Sequence, residues 1–136
     1  MSEYRVTSNL RPAGYQVMIK AGQHQYLADE PTPAGTDAGP NPVQYLIGAL
    51  NGCLTISAKA LAKKHGINLR DVRITSHGTV DKLGGGRTAV TAIDTTVDFD
   101  CDLNDQEKQD LLDNTLRVCT VHESLSGSIK MNIHLA

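Results

Sequence analysis

From Asn41 to Ile56 the chain runs without a charge, and apolar residues fall on most sides of the helix that this stretch predicts. Asn41 is a suitable N-cap, and Pro42 fits the first turn, where no backbone donor is needed. Basic residues enter only at Lys59, and Gly66 is placed to close the helix in a left-handed conformation. The predicted span is therefore Pro42 to about Lys64. A helix apolar on most sides is buried rather than laid on a surface. Gly48 and Gly52, four residues apart, leave a smooth strip where another backbone can come close, and Cys53 lies beside it.

Upstream the pattern changes to alternation. Tyr4 to Ser8, Gly14 to Lys20 and Gln23 to Asp29 read as short strands with turns at Gly14 and Ala21-Gly22, which predicts an antiparallel meander. Glu30 to Pro40 is a Pro/Gly-rich loop feeding the long helix. Downstream, Asn68 to Lys82 is expected as a strand with Val72, Ile74 and Val80 inward. Gly84-Gly85-Gly86 then turns the chain into a strand from Thr88 to Asp100, whose apolar positions are Ile93, Val97 and Phe99 and whose register shifts around Asp94. Asn104 followed by Glu107 has capping-box form and opens an amphipathic helix through Leu111, Leu112 and Leu116, with Val118 a further candidate for its apolar face. Ser128 to Leu135 alternates strictly, as an edge or half-buried strand does. Strand runs and helices segregate, so the expected class is α+β, one domain over residues 1–136. One copy offers little apolar cover for both sides of the long helix. A homodimer with two such helices at its centre is therefore expected.

Composition narrows the chemistry. Hydrophobic residues make up 40% and aromatics 4%, with no Trp and Phe99 alone of its kind, so stacking platforms for bases are scarce. A net charge of -2 gives no global drive towards nucleic acid. The basic cluster Lys59, Lys63, Lys64, His65, Arg70 and Arg73 falls at a helix end, where cations complement the dipole. The N-terminus lacks an apolar signal core and the long helix turns basic at Lys59, so a soluble, cytoplasmic protein with no membrane partner is expected. His24, His65, His77 and His134 lack mutual ligand spacing, and no metal site is predicted. Gly84-Gly85-Gly86-Arg87 reads as a hairpin tip, since no strand-loop-helix context surrounds it.

The three cysteines are an odd count without close spacing, which argues against a zinc site or a disulfide framework and leaves reactive thiols open. Cys101, beyond Phe99 in an alternating strand, reads as structural. Cys53 is either a small buried hydrophobe or a functional thiol. Leu111, Thr115 and Cys119 share one helical line, so Cys119 faces the same core as the leucines. Two cysteines on buried helical faces raise the question whether they meet. If they do, one thiolate can attack a peroxide and the other can condense with the sulfenic acid so formed. His122, three residues after Cys119, is a candidate base if that turn is helical; the plainer reading is a surface histidine.

The stretch from Gly35 to Leu54, GTDAGPNPVQYLIGALNGCL, resembles the central helix motif of the OsmC/Ohr family. Leu116 to Leu125, LRVCTVHESL, is similar to that family's second cysteine segment. The resemblance implies an OsmC-like fold, with sheets wrapped around long central helices in an intertwined homodimer. It also implies a thiol peroxidase for organic hydroperoxides, with Cys53 peroxidatic and Cys119 resolving. Such a reaction needs no cofactor, because sulfur does the redox work, but it needs an external dithiol reductant.

Three departures place the chain nearer the broader OsmC-like branch. Val43 and Gln44 stand where family peroxidases carry glutamates, and the first of these holds an active-site arginine. Arg11 is the candidate for that cation, or else a turn arginine beside Pro12. Thr120 stands where the peroxidases commonly carry proline. The rival reading is a non-enzymatic module binding a small apolar ligand in its dimer cleft, with structural or redox-sensing cysteines. The lost glutamate favours that rival, and the two cysteines favour the enzyme.

Overall fold

The computed structural model describes Met1–Ala136, and its contacts divide the chain into two compact units, Met1–Leu46 and Ile47–Ala136. In the N-terminal unit, β1 (Val6–Leu10), β2 (Val17–Ala21) and β3 (His24–Ala28) form an antiparallel meander. Val6 pairs with Ala21 and Leu10 with Val17, and Gly22 opens the two-residue turn into β3 with φ +61, the sign such hairpin turns demand. The first two strands sit later than the pattern placed them. β1 reaches Leu10 because the break comes only at Arg11-Pro12, and Gly14, with φ +54, belongs to the turn and not to β2. Every residue of β1 is exposed, so no buried face sets its limits.

Loop 30–40 is organised by a buried carboxylate. Asp29 Oδ1 accepts from the N–H of Tyr15 and Glu30, and Oδ2 from the N–H of Thr36 and Ala38 and from the Thr36 hydroxyl. Those donors hold the carboxyl down at about 2, led by the Thr36 hydroxyl and opposed by burial. A Cβ on Gly35 would collide with the Glu30 carbonyl, which is why the loop needs glycine there.

Helix α1 (Pro42–Lys64) begins in this unit with a reciprocal box: Gln44 N–H donates to Asn41 Oδ1, and Asn41 N–H donates to Gln44 Oε1, both at 2.9 Å. Its later turns lie in the C-terminal unit, with β4 (Asp71–Gly84), β5 (Arg87–Asp100), α2 (Asp105–Val118), α3 (Thr120–Leu125) and β6 (Lys130–Leu135). β5 is the central strand, antiparallel to β4 and parallel to β6. The register shift lies opposite Thr79/Val80, leaving Thr91 unpaired, three residues before the expected place at Asp94. Near that shift Val80 turns outward, although Val72 and Ile74 are half-buried as expected. Gly84, Gly85 and Gly86 all have positive φ, as the tight tip requires.

Ala58 and Ala62 of α1 meet Val97 and Phe99 of β5 and Leu111 and Leu112 of α2 in one core, which also takes in Cys101. The buried line of α1 is Leu50, Leu54, Ala58 and Ala62, at helical spacing four. Under it, Thr95 is fully buried and shares a hydrogen bond with Ser76, whose hydroxyl also reaches Asn51 Oδ1 at 2.6 Å. A Cβ on Gly78 would meet Ile47 Cδ1 at 2.5 Å, so the helix lies close on the sheet.

One copy covers only that line. Gly48, Gly52 and Ile56 are exposed, Ile56 at 73%. By length and composition alone α1 passes as a membrane span, which corrects the expectation that Lys59 would disqualify it. Its line Leu50, Leu54, Ala58 and Ala62 is nevertheless buried against this unit.

Candidate active site

Cys53 lies mid-helix in α1 and is half-buried, with Ser57 one turn further on. Cys119 is buried, at 1% exposure, between α2 and α3. Its backbone is extended (φ -76°, ψ 110°), which stops α2 after its N–H bonds the Thr115 carbonyl at 3.0 Å. Its own carbonyl then accepts from Glu123 N–H, and α3 starts at Thr120. The first N–H groups of a helix have no partner within it. Here those of Thr120 and Val121 act on the Cys53 sulfur.

The two thiols act on each other, and their acidities move apart. Burial pushes Cys53 up, but donation from Val121 N–H, the Cys119 thiol, the Ser57 hydroxyl and Thr120 N–H outweighs it, and the net direction is down. Cys119 is pushed up to about 11, first by burial and then by its hydrogen bond and charge interaction with Cys53. The N–H groups of His122 and Val121 oppose that rise. Cys53 is therefore the thiol that ionises first, and Cys119 keeps its proton. A thiolate next to a thiol is the arrangement that sulfur redox chemistry uses.

The sequence matches the OsmC-like protein family over residues 35–134. The chain belongs to that family. Its fold is similar to the OsmC-like protein of Mycoplasma pneumoniae (TM-score 0.89, 19% identity, 99% of this chain and 96% of that one). It is also similar to an organic hydroperoxide resistance protein OsmC of Legionella pneumophila (0.79, 15%, 100% and 98%) and to the organic hydroperoxide resistance protein OhrB of Bacillus subtilis (0.75, 18%, 99% and 98%). Among curated proteins none matches the sequence significantly.

In this OsmC-like chain the two predicted cysteines come together, 66 residues apart in sequence. Arg11 belongs to the N-terminal unit, exposed in the turn after β1, with its N–H bonded to the Gln16 carbonyl at 2.9 Å. Gln44, at a position of the lost carboxylates, is engaged in the α1 cap. Three donors were missed from sequence: the Ser57 hydroxyl and the N–H groups of Thr120 and Val121. Ser57 could have been found at Cys53 plus four. The N–H donors follow only once α3 is known to start at Thr120, and a proline there would delete one of them. Two open cavities, of about 400 and 430 Å³, lie elsewhere; neither includes Cys53 or Cys119.

Proposed function

We propose that this OsmC-like protein is a thiol peroxidase that reduces organic hydroperoxides through Cys53 and Cys119. The observation that carries the reading is the interacting pair of thiols with opposed acidities, the half-buried one lowered and the buried one raised. The names of the Legionella and Bacillus structures point to the same substrate class. Cys53 thiolate attacks the distal peroxide oxygen, the O–O bond breaks, and the alkoxide leaves and takes a proton to become the alcohol. Cys53 is left as sulfenic acid. Cys119 sulfur then displaces its hydroxyl as water and closes the disulfide, and an external dithiol restores both thiols by exchange.

The working unit in this proposal is a homodimer, supported by the outward strip of α1. A second copy's helix fits against Gly48, Gly52 and Ile56, where a Cβ at either glycine would meet nothing within 4 Å in one copy. Sedimentation is expected to give twice the chain mass, and Gly52→Leu to weaken the assembly.

The test is consumption of an organic hydroperoxide with a dithiol reductant. Wild type is expected to turn over and Cys53→Ser to lose activity, with peptide mapping finding Cys53 joined to Cys119 and Cys101 free. A wild type that consumes nothing would transfer the chain to the binding-module reading. The Cys53 sulfur has four donors from its own unit, so Arg11→Ala is expected to change the rate little. Thr120→Pro, which removes one donor while suiting a first helical position, should raise the pH at which Cys53 is alkylated.

A further inference from the structure

We propose that His122 is the base that takes the Cys119 proton when the disulfide closes, an inference that rests on the peroxidase reading of the pair. His122 lies on α3, three residues after Cys119, which is the N-cap of that helix. His122 is the third residue of that helix, so it and the N-cap Cys119 come from the same turn. The condition set by the sequence, that this turn be helical, is therefore met. His122 is half-buried, and its Nδ1 is fully buried without a hydrogen-bond partner. Such an orphan is rare in native proteins, and redox or catalytic chemistry is one of the explanations for it.

The chemistry of the pair says why a partner would be needed only later. In the reduced state the Cys119 thiol helps to stabilise the Cys53 thiolate. Once Cys53 becomes a sulfenic acid it is no longer a thiolate, and the Cys119 thiol has lost that anionic neighbour. Burial still disfavours the Cys119 thiolate at that stage, so the thiol has to give up its proton as it attacks. His122 is the histidine on the same turn. Its ring nitrogen takes the S–H proton as Cys119 sulfur attacks Cys53 sulfur. The S–OH bond breaks, and the departing hydroxide takes the proton from the imidazolium as water. The step consumes one thiol and one sulfenic acid and yields one disulfide and one water, with no further oxidant.

The experiment separates the two steps in a single turnover of the full chain with an organic hydroperoxide. Cys53 sulfenic acid is trapped with dimedone, and the disulfide is followed by mass. In His122→Gln and His122→Ala, oxidation of Cys53 should keep its wild-type rate while closure slows about 10²-fold, and trapped sulfenic acid should rise. Added imidazole should restore closure in His122→Ala, which a purely structural defect would not allow. Closure at the wild-type rate in both variants, or slowing that imidazole leaves unchanged, overturns the proposal. Failure of wild-type Cys53 to form sulfenic acid would instead sink the peroxidase reading, and this step with it.

Discussion

The two units are held by different physics. The C-terminal unit buries leucine, valine, isoleucine and phenylalanine side chains, and its buried threonines, Thr95 and Thr115, both have partners. In the N-terminal unit the buried residues are Ala28, Asp29 and Gly35, and the charged one of the three gathers five hydrogen bonds. Apolar burial is spread over many contacts and falls by degrees as atoms are removed. A carboxylate knot depends on a single group and should open with it.

That contrast can be broken by experiment. The largest effect is expected from Leu112→Ala in the C-terminal core, where truncating a buried leucine costs about 2–5 kcal/mol. Denaturant unfolding should register that loss in full; a change near zero would mean that the core is not what holds this unit. Asp29→Asn should act more locally. Amide exchange at Thr36 and Ala38 should accelerate, while that of Val97 should not. The same amides should loosen with acid. The folded carboxyl sits at about 2, below its unfolded value, so its contribution is complete above pH ~4 and is lost as pH falls towards 2. Equal acceleration in both units would erase the distinction. The smallest effect sharpens it: Asn41→Ala and Asn104→Ala each remove one capping box, one per unit. Each should cost about 1 kcal/mol, measured as fraying of its own helix.

The sequence pattern was read best where apolar order and end signals agree. The span Pro42–Lys64 and the start of α2 at Asp105 follow from caps, charge onset and periodicity, and each is confirmed. β1 lies two residues later than the alternation suggests, because none of its side chains is buried and turn chemistry alone fixes its ends. α3 escaped because six residues are too few to show a period, and Cys119 passed as the end of α2. Asp29 looks like any other acid in the sequence, since its donors are main-chain groups that only the folded loop collects. Helical lines in the sequence put Cys53 and Cys119 on core-facing positions, but singling them out as a pair rests on the resemblance to the OsmC/Ohr segments. What lowers one and raises the other was not legible, because backbone N–H groups leave no mark in a sequence.

The parallel pairing of β5 with β6 carries a further consequence, in time rather than space. β4 and β5 are joined by a glycine tip and can zip locally, whereas Ala92 meets Lys130 only after the whole α2–α3 crossover has closed. Long closures of this kind come late, because their entropy must be spent before their contacts form. Cys119 rides in that crossover, and Cys53 does not. A nascent or half-refolded chain therefore holds two unrelated thiols of ordinary reactivity. The two thiols come together only when the segment between β5 and β6 has taken its place.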